Sequence, residues 1–284
     1  MFLLILAVLS TSTMTILMRY SEQNLHNRYA VTMMNYVASV IVSLLFMGDI
    51  PLFIPGSADY TFTLWFGCLN GILFISWFFL YQISISRNGV PVSVIFSKLG
   101  VIIPTIGSVI FFNEQPTWLQ IAGVIIAVAA IVVYNMPNEK TGQQKLGPVN
   151  LLLLLLVFFI GGVGDFDSKI FTMMGNASLG PVFMCHTFIL AFVLSFVLWL
   201  VKDHSINLQD VIFGMGLGVF NSIATNLLLA SLKTLPAFIA YPFYTVSMLV
   251  VVNIVNWLLF REKQGKKKII CLVFICGALL LLNI

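Results

Sequence analysis

Charge is what this sequence has least of: Lys, Arg, Asp and Glu together make up 8% of its 284 residues. A soluble domain carries about a quarter, so a globule surrounded by water is excluded. Hydrophobic residues fill 60% of the positions, which makes the chain an integral membrane protein. Cysteine is sparse too. Cys68, Cys185, Cys271 and Cys276 all lie inside apolar runs without metal or disulfide spacing, so they read as small buried hydrophobes. No metal or cofactor is expected. There is no G-x-x-x-x-G-K-[ST] loop, so ATP is not the evident energy source. Nor is there an H-E-x-x-H or G-x-S-x-G element to suggest an intramembrane hydrolase. The densest basic cluster, Arg261, Lys263, Lys266, Lys267 and Lys268, lacks interleaved aromatics. It implies no nucleic acid and fits a topology signal at a membrane face, in contact with lipid phosphates. Met1 leads into an apolar run with no basic n-region, so the first span is expected to be retained.

What the sequence has in abundance is long apolar runs with short polar punctuation. They last about 20 residues, the length of a membrane-spanning helix rather than of a barrel strand. Ten spans are expected, near 2 to 19, 29 to 47, 61 to 85, 90 to 112, 117 to 136, 148 to 170, 180 to 201, 210 to 232, 236 to 260 and 267 to 284. The longest polar stretch, PNEKTGQQKLGP, falls between the fifth and sixth spans and divides the chain almost in half. The domain reading is a first copy over 1–137, a linker over 138–147 and a second copy over 148–284.

The halves align. Setting the stretch from Phe111 over that from Leu259 pairs Phe112 with Phe260, Glu114 with Glu262, Ile121 with Ile269, Ala130 with Ala278 and Asn135 with Asn283. A shift of one residue pairs Phe66 and Gly67 with Phe213 and Gly214, Gly71 with Gly218, and Ser84 with Ser231. Five spans per copy is an odd number, so the second copy enters the membrane from the opposite side. The expected fold is therefore all-α, ten transmembrane helices in two inverted five-helix repeats.

Ten short-looped spans in two such halves, each with a Glu turn before its last span, resemble the drug/metabolite transporter superfamily and its EamA-type family. The motif is NEQPTWLQIAGVIIAVAAIVV in the first half and REKQGKKKIICLVFICGALLL in the second, where Cys271 replaces Gly123. The resemblance covers the whole chain. It implies a secondary transporter working by alternating access, with a pocket lined by the first four helices of each half and the fifth and tenth peripheral. On this basis the chain is a multi-pass protein of a cell membrane, a bacterial inner membrane, and no enzyme. It does not name the substrate. Two other readings stay open: a membrane-embedded enzyme, which would convert its substrate, and a non-transporting helper subunit, which would copurify with a partner.

Lys98 is the most informative residue. It sits near the middle of GVPVSVIFSKLGVIIPTIGSVIFF, where an ammonium costs at least ~2.5 kcal/mol and must face protein or a water-filled cavity. Pro104 frees a carbonyl near Gly100, which predicts a kink just past the lysine. On the ninth span Tyr241, Tyr244 and Thr245 share a face, and Pro242 interrupts the ladder at a corresponding level. A broken helix near the midplane is where such transporters bind substrate. Trp77 and Tyr81, one turn apart, offer aromatic faces to a ligand, while Trp65 reads as an interface anchor. Asn221 and Thr225 are also one turn apart and point to one cavity or to interhelical glue. The candidate substrate-binding residues are therefore Lys98, Trp77, Tyr81, Asn221, Thr225, Tyr241 and Tyr244, and an anionic or zwitterionic small molecule suits them.

Asp165 and Asp167 are the carboxylates set well inside a span. Asp165 stands four residues from Lys169, which allows an intrahelical pair; facing a cavity instead, it would carry a proton or balance Lys98. His186 is the second candidate for proton coupling, as a group that titrates near neutrality. Glu114 and Glu262, each in a turn before a last helix, are expected to be structural, as are Pro104 and Pro242. Loops after odd spans hold Arg19, Arg28, Arg87, Lys140, Lys145, Lys202 and the five of the last loop, against Lys169 and Lys233 after even spans. Positive residues favour the inside, so the odd loops are expected to be cytoplasmic and both termini outside, whereas many members of the resembled family keep both termini inside. A monomer suffices, since one chain contains both copies, and a dimer stays open.

Overall fold

The computed structural model describes residues 1–22, 27–88, 90–135, 148–260 and 266–282. The linker 138–147, Glu262 and the basic residues Arg261 and Lys263 lie outside them. Within them the chain is all-α: α1 (Phe2–Glu22), α2 (Arg28–Met47), α3 (Ala58–Asn88), α4 (Val90–Leu99), α5 (Ile102–Phe112), α6 (Trp118–Asn135), α7 (Pro148–Met174), a 3-10 turn (Ala177–Leu179), α8 (Gly180–Lys202), α9 (Leu208–Leu232), α10 (Ala237–Phe260) and α11 (Lys266–Leu282). Among the described residues, seven spans are long and apolar enough to cross a membrane: Arg28–Met47, Ala58–Ile85, Val92–Phe112, Val149–Met174, Ala177–Lys202, Leu208–Leu232 and Ala237–Val255. Phe2–Met18 and Trp118–Val133 are shorter apolar helices. Side chains such as Trp65, Phe111 and Trp118 are exposed on the outside, as expected of helices whose solvent is lipid. Lys169 proves to be buried within α7 rather than in a loop.

The chain packs as two compact units, Met1–Ile75 with Asp167–Thr234, and Ser76–Phe166 with Leu235–Ile284. In the first, α9 packs on α1 and α2, and α2 on α8. Glycine makes these approaches possible. A Cβ on Gly218 would lie 2.1 Å from the Asn35 carbonyl oxygen, and one on Gly214 would lie 2.7 Å from that of Val31. A similar pair sits on α3, where a Cβ on Gly67 would meet the Phe183 carbonyl at 2.9 Å and one on Gly71 that of Thr187 at 2.7 Å. Lipid supplies no hydrophobic drive between helices, so small residues that let backbones touch take over that role.

Polar side chains stitch the same seam. Ser43 and Ser222 hydroxyls meet at 2.9 Å, Ser39 Oγ donates to the Gly218 carbonyl at 3.1 Å, and Asn226 donates to Ser43 at 3.3 Å. The helix ends are clasped too. The Asn27 side chain caps α2, accepting from Tyr29 and Ala30 N–H groups, and donates to the Asp203 and Ser205 carbonyls, while its own N–H donates to Asp210 of α9. Ser205 bonds the exposed Asp203 carboxyl through its N–H and hydroxyl and holds it below the usual carboxylate range. Near the start of α8, Asn176 caps the 3-10 turn and donates to Asp59 in the first turn of α3 at 2.8 Å.

In the second unit α6 packs on α11 and α4, and α10 on α5, α6 and α11. Ala127, Ala130, Ile131, Val246, Leu249 and Ala278 form its apolar core. The fourth span is interrupted at Gly100 and Val101, between α4 and α5. Pro104 has no N–H for the Gly100 carbonyl, and the Ile103 N–H takes that acceptor instead at 3.0 Å, tightening the turn. Pro242 does not break its helix. α10 runs continuously from Ala237 to Phe260 with Pro242, its sixth residue, inside it.

Glu114 caps a helix distant in the chain. Its carboxylate accepts from the Ala237 and Phe238 N–H groups at 3.0 and 3.3 Å, so it closes the N-terminus of α10. Two charge-assisted bonds at the positive end of a helix are worth about 1–2 kcal/mol. Glu114→Gln is therefore expected to lower the melting temperature of the purified protein while leaving its ligand preference unchanged. A Gln variant of full stability that binds nothing would contradict this structural role.

Candidate functional site

In the second unit α3, α5 and α10 each touch α7, and Lys98 stands where α4 ends. Two glycines of α7 begin the arrangement. A Cβ on Gly162 would lie 2.5 Å from the Gly100 carbonyl and 2.6 Å from Ile103, so α7 meets the break between α4 and α5 backbone to backbone. A Cβ on Gly161 would lie 2.7 Å from Trp77 Nε1, so the indole lies directly on α7. Trp77 stacks on Tyr81, with ring centroids 5.2 Å apart and planes 6° apart. The indole nitrogen is buried without an acceptor among the described residues.

One turn beyond Gly161, on the same face of α7, stands Asp165. Its carboxylate and the Lys98 ammonium are electrostatic partners. The fold thus matches Asp165 with Lys98 from another helix rather than with Lys169 on its own. Lys98, in the last turn of α4, is half-buried, and its Nζ lies 3.9 Å from the Met248 sulfur of α10. The Tyr241 hydroxyl donates to the Asp165 carbonyl. Tyr241 and Met248 are two turns apart on one face of α10, and Tyr244 and Thr245 fill the turn between. Both are partly exposed. A closed circuit results: Trp77 on Gly161, Asp165 facing Lys98, Lys98 against Met248, and Tyr241 back to Asp165.

This arrangement offers a cation, an anion, a stacked aromatic pair and phenol hydroxyls inside an apolar shell. Among the described residues, the half-buried Lys98 ammonium has the Met248 sulfur and the field of Asp165 as its polar surroundings.

The other predicted residues lie in the first unit. Asn221 donates to Asn35 Oδ1 at 3.4 Å, across from α9 to α2. Thr225 spends its hydroxyl on the Asn221 and Ser222 carbonyls of its own helix, at 2.9 and 3.2 Å. Their shared face belongs to the polar seam rather than to the Lys98 circuit. His186 is buried on α8 against Gly67 of α3. Sequence reasoning missed Gly161, Gly162 and Met248. The signal for the glycines was the run GGVGD, whose small residues leave a helix face bare one turn before its carboxylate; Met248 carried no signal.

Known proteins meet this description. The EamA-like transporter family model matches residues 1–136 and again 148–284. The chain belongs to that transporter family. A solved crystal structure is similar in fold, with a TM-score of 0.78 at 15% identity, over 99% of this chain and 94% of that one. A comparison with curated proteins gives no match.

Proposed function

We propose that the chain is a secondary active transporter that carries a small anionic or zwitterionic metabolite by alternating access. Its pocket is the Lys98 circuit, to which the first half contributes α3 and α4 and the second half α7 and α10. The observation that carries this reading is the setting of Lys98: a half-buried ammonium deep in an apolar span, against the Met248 sulfur at 3.9 Å and within the field of Asp165. Asp165 serves as the counter-charge that holds Lys98 ready while the site is empty. A zwitterion would satisfy both.

Two inverted five-helix repeats, ten spans in all, underlie this. Support comes from the family model, which fits the chain twice, and from contacts that recur in pairs. Asn27 before α2 reaches Asp210 in the first turn of α9, as Asn176 before α8 reaches Asp59 in the first turn of α3. Gly214 and Gly218 sit on α2 as Gly67 and Gly71 sit on α8. A single chain then holds both copies, and a monomer in a bacterial inner membrane suffices.

The test is a thermal-shift screen of purified protein against amino acids, sugars, nucleosides, carboxylates and quaternary amines. A ligand at a hundred times its Kd adds about 2.7 kcal/mol to apparent stability. Carboxylate-bearing compounds are expected to raise the melting temperature and sugars to leave it unmoved. Shifts from uncharged compounds alone would contradict the role given to Lys98.

A further inference from the structure

α7 carries a second carboxyl, which the Lys98 circuit does not use. Asp167 stands two residues after Asp165, about 200° round the helix, so the two leave α7 on opposite sides, and Asp167 belongs to the other compact unit. It is 3% exposed, and its Oδ2 is buried with no donor in reach among the described residues. Lys169, a further two residues on, returns to the Asp165 side of the helix.

The elements packed against this half of α7 give Asp167 no counter-charge. Phe171 stacks on Phe183 of α8 at 4.2 Å and lies 6.4 Å from Phe62 of α3. The titratable side chains on those helices in this unit are Asp59, Tyr60 and Cys68 of α3 and Cys185, His186 and Lys202 of α8. Asp59 is bonded to Asn176, and no charged group among the described residues acts on Asp167. An ionised carboxylate so placed would be buried, unpaired and short of donors, the costliest condition for a side chain inside a membrane protein. A bound proton removes the charge.

We propose that Asp167 is a proton-binding site, loaded in the conformation of this structure, and distinct from Asp165, which belongs to the Lys98 circuit. On the transporter reading this is the site at which a proton is carried.

Infrared spectroscopy of the purified protein in lipid vesicles, titrated around neutral pH in H2O and D2O, tests this without any substrate. The parent protein is expected to show the carbonyl band of a protonated carboxyl at neutral pH. Asp167→Asn loses that band, Asp167→Glu shifts it, and Asp165→Asn keeps it. Because Asn mimics the neutral acid, Asp167→Asn should also melt at or above the parent temperature. A band that survives in Asp167→Asn would overturn the proposal. So would an Asn variant that unfolds while Asp167→Glu remains folded with its carboxyl ionised. The readout involves no transport, so its failure leaves the transporter reading standing, and a chain that shows the band without transporting anything fails only the latter.

Discussion

Gly218→Ala is expected to lower the melting temperature of the purified protein by more than any other single added methyl, while Gly216→Ala, two residues away, leaves it unchanged or raises it. Both substitutions add the same atoms to the same helix and gain up to about 1 kcal/mol of helix propensity. Their surroundings differ. A Cβ on Gly216 meets nothing within 4 Å, whereas one on Gly218 would sit 2.1 Å from the Asn35 carbonyl oxygen and 2.6 Å from the Ala38 Cβ. A backbone oxygen cannot rotate away, so α2 must shift as a body and loosen the Ser39, Ser43 and Asn226 bonds along the seam. Overpacking a tight contact costs about 1–3 kcal/mol, and more where backbone must move. Gly218→Leu is expected to yield no folded protein. Melting curves in detergent check the series, and equal melting temperatures for the two alanine variants would contradict this account of the helix contact.

Lys98→Met is expected to weaken ligand binding ten- to hundredfold and to stop transport in a protein that still folds. Methionine keeps most of the side-chain length and suits a site where Nζ already touches a methionine sulfur. Breaking a tight buried ion pair typically costs about 3–5 kcal/mol. Lys98 is half-open, and its field reaches Asp165 without the bonds of such a pair, so the melting temperature should stay near that of the parent. A charge-assisted bond to a ligand anion is worth about 1.5–3 kcal/mol, or roughly a ten- to hundredfold loss of affinity at 1.4 kcal/mol per factor of ten. Tyr244→Phe removes one neutral hydroxyl and should weaken binding several-fold. A Lys98→Met protein that fails to fold would favour a purely structural lysine.

Much of this was legible in the chain. Sparse charge and long apolar runs gave the membrane class, and the cost of an ammonium at midspan singled out Lys98 before any contact was known. Pro104 located the break in the fourth span because a missing N–H acts locally. Pairing across the fold was another matter. Asp165 had two lysines to choose from, and only the packing of α7 on α4 selects Lys98. Glu114 read as a cap, yet which helix it caps depends on tertiary approach, and α10 lies 123 residues away. Asn221 and Thr225 share a helix face, but a face looks the same in sequence whether it lines a pocket or a seam. Gly67, Gly71, Gly214 and Gly218 were visible as a repeat; their four-residue spacing was the overlooked signal for close helix contact.

The central claim, that this chain moves a charged metabolite through the Lys98 site, is tested most directly by counterflow. Purified protein is reconstituted in liposomes loaded with an unlabelled carboxylate from the thermal-shift screen, and the labelled compound is added outside. The account predicts transient accumulation of chemically unchanged label with the parent protein and none with Lys98→Met. Binding without counterflow, label converted to a product, or normal counterflow by Lys98→Met would contradict it.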